Sequence, residues 1–149
     1  MFNYRDHRKI TVIDGDVAFC GGINLADEYI NRKPRFGHWK DTAVLLRGDA
    51  AWNLTSLFLQ MWGWWEKKLP DYEKFRPLGK IYGDDGFVQP YGDSPVDGVN
   101  IAENIYLQII NNAKRYVYIT TPYLILDNEM ITALTVAAES GVDVRIITP

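Results

Sequence analysis

Nine prolines and glycines fall between residues 69 and 98: Pro70, Pro77, Gly79, Gly83, Gly86, Pro90, Gly92, Pro95 and Gly98, with acidic residues among them. Proline removes a backbone donor and glycine adds chain entropy, so no long helix or central strand can run through such a stretch. At most one short strand fits there, at "GFVQPY". The chain must therefore fold as two pieces, residues 1–68 and 99–149, joined by a linker at 69–98.

In the first piece, "KITVI" at 9–13 is short and β-branched, "DGD" at 14–16 signals a tight turn, and "VAFCG" at 17–21 returns as the partner strand. The single cysteine, Cys20, reads as a buried thiol in that strand. "INLADEYIN" reads as a short helix or helical turn, and "DTAVLLRG" at 41–48 is a further strand ended by Gly48. A helix follows, from about Asp49 to Lys68. Ala51, Leu54, Phe58, Met61 and Trp65 keep the three-four spacing, and Leu57 and Trp62 widen the stripe. The spacing assigns the helix and its tryptophans (Trp52, Trp62, Trp64, Trp65) to burial on the sheet, although indoles also favour bilayer interfaces. In the last piece, Asn100 with Glu103 resembles a capping box ahead of "IAENIYLQIINNAKR". "YVYIT" at 116–120 is a strand, Asp127 caps "NEMITALTVAAES", Gly141 ends that helix, and "VDVRIIT" is the next strand. Strand, crossover helix and strand imply a parallel βαβ unit, and the class is α/β.

The chemistry concentrates in "NYRDHRKITVIDGD" at residues 3–16. Residues two apart on a strand share a face, so the His7 imidazole and the Lys9 ammonium lie side by side. Together they suit an anion. The histidine can act as nucleophile or acid/base, and the lysine can hold oxygens that gain charge in a transition state. Asp14 has the other parity and lies at the turn, which gives it a supporting role in fixing the hairpin. Gly21 and Gly22 free backbone amides to approach a ligand closely, and Asn24 adds a neutral donor. No metal or cofactor is called for, because two histidines and one cysteine make no ligand cluster. A formal net charge of −3 argues against a nucleic-acid partner, which usually needs a basic surface.

The run His7-x-Lys9-x4-Asp14-x6-Gly21-Gly22-x-Asn24 resembles the signature of the phospholipase D superfamily, H-x-K-x4-D-x6-G-[S/G]-x-N. "NYRDHRKI", "GGINLADEY", "HWKDT" and "TPYLILDNEM…AAESGVDVRIITP" are similar to its bacterial cardiolipin synthase branch. The likeness covers nearly the whole chain outside residues 70–95, and Gly22 stands where serine is more frequent. It implies a phospholipase D-like fold: two similar α/β lobes with a mixed or parallel sheet flanked by helices, each lobe carrying one copy of the motif. This chain would hold the back half of the first lobe and a truncated front half of the second, an incomplete two-lobe architecture. Because the repeats of the family are alike, head and tail could also close on each other as one permuted lobe, with strands 9–13 and 143–148 in a single sheet.

The same resemblance implies roles. His7, Lys9, Asp14, Asn24 and Asp41 form the catalytic set. His7 attacks phosphorus to give a phosphohistidine, Lys9 and Asn24 hold phosphate oxygens, and Asp41, in "WKDTAVLL", hydrogen-bonds and orients the imidazole. Gly21, Gly22, Thr121 and Tyr123 line the substrate site. His38, three residues before Asp41, is read as solvated or packed. The implied activity is phosphatidyl transfer between two phosphatidylglycerol molecules with release of glycerol. The substrate would be a phospholipid and the setting a bacterial cell membrane, reached through parts absent here, with this segment itself soluble and a homodimer conceivable. No second H-x-K-x4-D is present, so the chain alone is expected to be inactive. Two other readings stand beside this one: another phosphodiesterase or nuclease of the superfamily, and a non-catalytic remnant that keeps one motif as a binding module.

Overall fold

A computed structural model of the chain describes residues 6–77, 82–83, 86–94 and 98–149, divided into two compact units at Tyr91/Gly92. Parts of the expected linker, residues 78–81, 84–85 and 95–97, lie outside the described residues.

The first unit is an antiparallel sheet with one helix. Strands β1 (Ile10–Ile13), β2 (Val17–Gly21) and β3 (Ala43–Arg47) lie in that order, so β2 is central. The β1–β2 hairpin closes through Asp14 and Gly15, both with positive φ, and the Asp16 amide donates to the Ile13 carbonyl at 3.1 Å. Two left-handed central residues make a type I′ turn, the geometry that matches strand twist and that Asp-Gly favours. In the ladder Ile10 pairs with Cys20, and Cys20 with Val44. One face then carries Ile10, Val12, Ala18, Cys20 and Leu46, and these pack against Ala51, Leu54 and Leu57 of helix α1 (Asp49–Glu66).

The buried line of α1 is Ala51, Leu54, Thr55, Leu59 and Gly63, which corrects the sequence expectation for its far end. Trp62, Trp64 and Trp65 are exposed, the last two by about three quarters of their surface. The cause is length. Eighteen residues of helix extend about 27 Å, whereas five residues of strand extend about 17 Å, so the last turns of α1 run past the sheet. There the returning chain packs on Gly63, where an added Cβ would lie 2.7 Å from Pro70 Cδ.

Two local expectations are also decided. Residues 25–33 form bends and turns, the helical-turn alternative and not the helix, held by bonds such as Tyr29 N to Ala26 O and Arg32 N to Asp27 O. The strand expected at "GFVQPY" is absent; no strand pairs with it, and Phe87 and Val88 are exposed. The 3-10 turn Tyr72–Phe75 instead packs on the hairpin, with the Phe75 carbonyl above Gly15. Arg76 lies over the Trp52 ring, and the Tyr82 hydroxyl donates to the buried carboxylate of Asp16 at 2.5 Å.

The second unit contains α2 (Ile101–Asn112), β4 (Tyr116–Thr120), α3 (Asn128–Glu139) and β5 (Asp143–Ile147). β4 and β5 pair in parallel across α3, the expected βαβ unit. Ile110, Val117, Ala133, Leu134, Ala137 and Val142 form its core. Asp127 caps α3 by accepting from the Met130 amide at 2.8 Å. Asn100 reaches only the Glu103 side chain, and Asp93 accepts from the Ala102 amide instead. The strands of the two units belong to separate sheets, which overturns the idea of one permuted lobe within a chain: each unit covers its own sheet with its own helices. The result is a mixed α/β chain. Among the described residues no helix is long and apolar enough to cross a membrane.

Two outcomes follow. Gly15→Ala should cost about 1–3 kcal/mol in a urea titration of the 149-residue chain, since φ is +67° and a Cβ would meet the Phe75 carbonyl at 2.1 Å. The hydrogen bond to Asp16, and secondarily burial, raise the Tyr82 hydroxyl above its ordinary value. A raised folded-state value stabilises below the free-phenol value of about 10, and that contribution is lost as pH rises through the folded-state value. Thermal melts from pH 8 to pH 12 should therefore show an alkaline loss that is smaller in Tyr82→Phe.

Candidate active site

His7 and Lys9 lie in the extended segment leading into β1. Their side chains meet: Lys9 Nζ lies 3.1 Å from His7 Nδ1 and donates to the His7 carbonyl at 2.6 Å. An ammonium has no acceptor, so the shared contact requires the lone pair on Nδ1 and leaves the ring proton on Nε2. Arg8, between them, has the opposite parity. It forks onto the Asp6 carboxylate, and its hydrogen bonds hold Asp6 below the usual carboxylate value while Asp6 raises the guanidinium. Its charge is thus answered within the segment. With Met61, Trp62 and Trp65 it lines a groove of about 260 Å³ beneath the far end of α1.

The glycine turn that follows β2 is closed by β3. A Cβ on Gly21 would lie 2.8 Å from the Thr42 carbonyl and 2.8 Å from Ala43 Cβ. A Cβ on Gly22 would lie 2.8 Å from Asp41 Oδ1. The lack of side chains here makes room for strand contact and for the Asp41 carboxylate. Asn24 stands half-buried at the start of the turns.

Asp41 itself is held by two donors. The Trp39 indole N–H reaches Oδ2 at 3.1 Å and the Thr42 amide reaches Oδ1 at 2.7 Å. The expected hydrogen bond to the His7 ring is not formed; the ring's Nδ1 meets Lys9 and the carboxylate meets Trp39 and Thr42. Asp14 lies five residues from Lys9, about 16 Å along an extended chain, as the first left-handed residue of the hairpin turn. It does not join His7. Thr121 and Tyr123 belong to the second unit, where the Thr121 hydroxyl accepts from the Tyr123 amide just past the carboxyl end of β4. His38 is exposed.

A cavity of about 1040 Å³ lies elsewhere in the first unit, between β1, the middle of α1 and residues 73–77. Asp14 borders it; His7, Lys9, Asn24 and Asp41 do not. Its lining is mostly apolar, and the motif residues carry the stronger chemical signal. Sequence reasoning passed over Trp39 and Thr42, which hold Asp41, and Asn31, which holds Trp39. Trp39 and Thr42 flank it in "HWKDT", but nothing in the spacing joins Asn31 to residue 39.

A family model described as "Cardiolipin synthase, PLD-like domain" matches residues 106–149, all in the second unit. Over 99% of its length the chain is 57% identical to an uncharacterized protein of Streptococcus mutans, covering 32% of that protein. It is 41% identical to the cardiolipin synthase of Halalkalibacterium halodurans and 41% identical to that of Geobacillus kaustophilus, again over 99% of the chain but 29% and 30% of those enzymes. The chain thus spans about a third of the length of the curated relatives it matches. No solved structure matches. The resemblance read from the motif is borne out: over nearly its whole length the chain is similar to cardiolipin synthases, and its second unit matches their phospholipase D-like domain.

Gly22→Ala should push the Asp41 carboxylate aside. The expected result is a shifted Trp39 indole N–H cross-peak in a ¹H–¹⁵N spectrum of the chain, with a stability loss of about 1 kcal/mol; an unmoved cross-peak would contradict the close approach.

Proposed function

We propose that this chain carries the nucleophile half of a cardiolipin synthase active site. The observation that carries the reading is the contact of the Lys9 ammonium with the His7 ring, inside a sequence alike over 99% of its length to cardiolipin synthases. In this reading the substrate is phosphatidylglycerol at a membrane, and His7 Nε2 attacks its phosphorus. The bond from phosphorus to the glycerol oxygen breaks, and glycerol leaves with a proton from a second acid. The primary hydroxyl of another phosphatidylglycerol then attacks the phosphohistidine, returns a proton to that acid, and frees His7. The second acid would be the histidine of a second motif, outside these residues.

The resting contact is the wrong tautomer for this step, because Nε2 must offer its lone pair. A phosphate dianion or diester in the site would draw Lys9 Nζ onto its oxygens, where a cation stabilises the charge that develops. Nδ1 then needs an acceptor. The ladder supports Asp41 for that role: continued two to three residues past its last pairs, its register sets His7 opposite Ile23 and Ile23 opposite Asp41. The carboxylate retains lone pairs beyond those used by Trp39 and Thr42.

In a full-length protein carrying this segment, His7→Ala should reduce cardiolipin formation from phosphatidylglycerol to background, and Lys9→Ala should lower kcat by about 10²–10³-fold. The 149-residue chain alone should form none, since a missing proton donor costs about 10²–10⁴-fold and no second site is present to supply it. Undiminished synthesis by His7→Ala would overturn the reading.

A further inference from the structure

Residues 29–42 contain no helix or strand, yet their contacts converge on one indole. Asn31, in the left-handed region at φ +60°, grips the main chain of Trp39 at two points. Its side-chain amide donates to the Trp39 carbonyl at 2.8 Å, and its oxygen accepts from the Trp39 amide at 2.7 Å. Tyr29 meets the Trp39 ring edge-on, with centroids 4.9 Å apart, and Phe36 flanks it at 5.6 Å. Backbone and ring are thereby fixed together, and an indole so fixed has one polar act available, the donation of Nε1–H. That donor holds Asp41 Oδ2 at 3.1 Å, while Oδ1 lies over Gly22.

We propose that Trp39, clamped by Asn31, is a positioning residue that sets the Asp41 carboxylate for the His7 imidazole. The proposal rests on the phosphatidyl-transfer reading above, which assigns Asp41 to His7 but says nothing of what holds Asp41. An aspartate has two side-chain torsions, and one amide bond at Oδ1 still permits the group to swing. A second donor, on the other oxygen and braced by a separate loop, removes that freedom. Displacement of a catalytic partner by about 1 Å can cost on the order of 10²-fold in rate, so the clamp acts on turnover and not on substrate affinity.

The test has a structural arm and a kinetic arm. In the 149-residue chain, Asp41→Asn and Asn31→Ala should each shift the Trp39 indole N–H cross-peak, assigned by its loss in Trp39→Phe. In a full-length protein carrying the segment, Trp39→Phe keeps a ring against Tyr29 and removes only the donor. It should lower kcat by roughly 10- to 100-fold with KM within about twofold, and Asn31→Ala should do the same should Trp39→Phe fail to fold. The double variant Trp39→Phe/Asp41→Asn should be no slower than Asp41→Asn alone, since one acts through the other. Multiplicative losses in the double variant, or a full-rate Trp39→Phe, would overturn the proposal. Full activity in His7→Ala would instead strike the underlying reading, and the cross-peak shifts would still report whether Trp39 and Asp41 are coupled.

Discussion

The approach of β3 to the end of β2 is the constraint on which the candidate site depends. At Gly21 the two backbones come so close that a single added carbon would sit 2.8 Å from the Thr42 carbonyl. The same closeness continues one residue on, where Gly22 faces Asp41. A ladder with alternating side chains admits such an approach only where one strand offers no Cβ. The G-G-x-N element therefore has a structural task that precedes any ligand: it lets the strand that starts at Ala43 deliver an acid beside the turn. The same absence leaves Gly22 exposed at the turn, where a ligand can come close to the main chain. One pair of glycines answers both needs, and a substitution there would disturb both.

How far the fold could be read from sequence depended on what each signal reports. The hairpin was legible because Asp-Gly turns are favoured locally: Asp14 and Gly15 both adopt positive φ. The βαβ unit was legible because its crossover helix α3 has the Asp127 cap and a one-sided stripe. Helix α1 was legible in its ends but not in its burial. Its apolar residues run nearly all round in the second half, and periodicity cannot say where the sheet beneath stops. Leu54 and Leu59 are buried while Trp64 and Trp65 are not, although all four belong to one apolar helix. At 25–33 the sequence left a short helix and a helical turn open, and turns form. "INLADEYIN" has the composition of a helix, but Asp27 and Asn24 bind local amides through their carbonyls and the chain coils back within a few residues.

The site divides in the same way. His7 and Lys9 were legible as a pair because a spacing of two fixes the face, and they do meet. Asp14 was legible as a turn residue for the same reason of parity, although the family pattern counts it with the catalytic letters. What spacing could not convey was competition for Nδ1. Lys9 satisfies its ammonium on the nearest lone pairs, those of the His7 ring and carbonyl, and Asp41 settles on Trp39 and Thr42. Each charged group has found a partner one or two residues away. An anion would change the ranking, because a phosphate oxygen is a stronger acceptor for an ammonium than a neutral imidazole is.

That ranking suggests why the elements around the site are arranged as they are. Arg8, the strongest potential competitor for a phosphate, points the other way along the strand and is neutralised by Asp6 through a forked ion pair. Lys9 is the cation left beside His7. A bidentate guanidinium would hold a phosphodiester firmly in the ground state, whereas a single ammonium on a flexible stem can follow the oxygens as they shift about phosphorus. Binding that is equal in ground and transition states adds nothing to turnover. By placing the rigid cation on the opposite face of the strand and the mobile one beside His7, the alternation of Arg8 and Lys9 suits the proposed chemistry, in which a cation must follow charge as it develops. One register step in β1 would exchange them, and the pairing of Ile10 with Cys20, with the core side chains it buries, is what prevents that step.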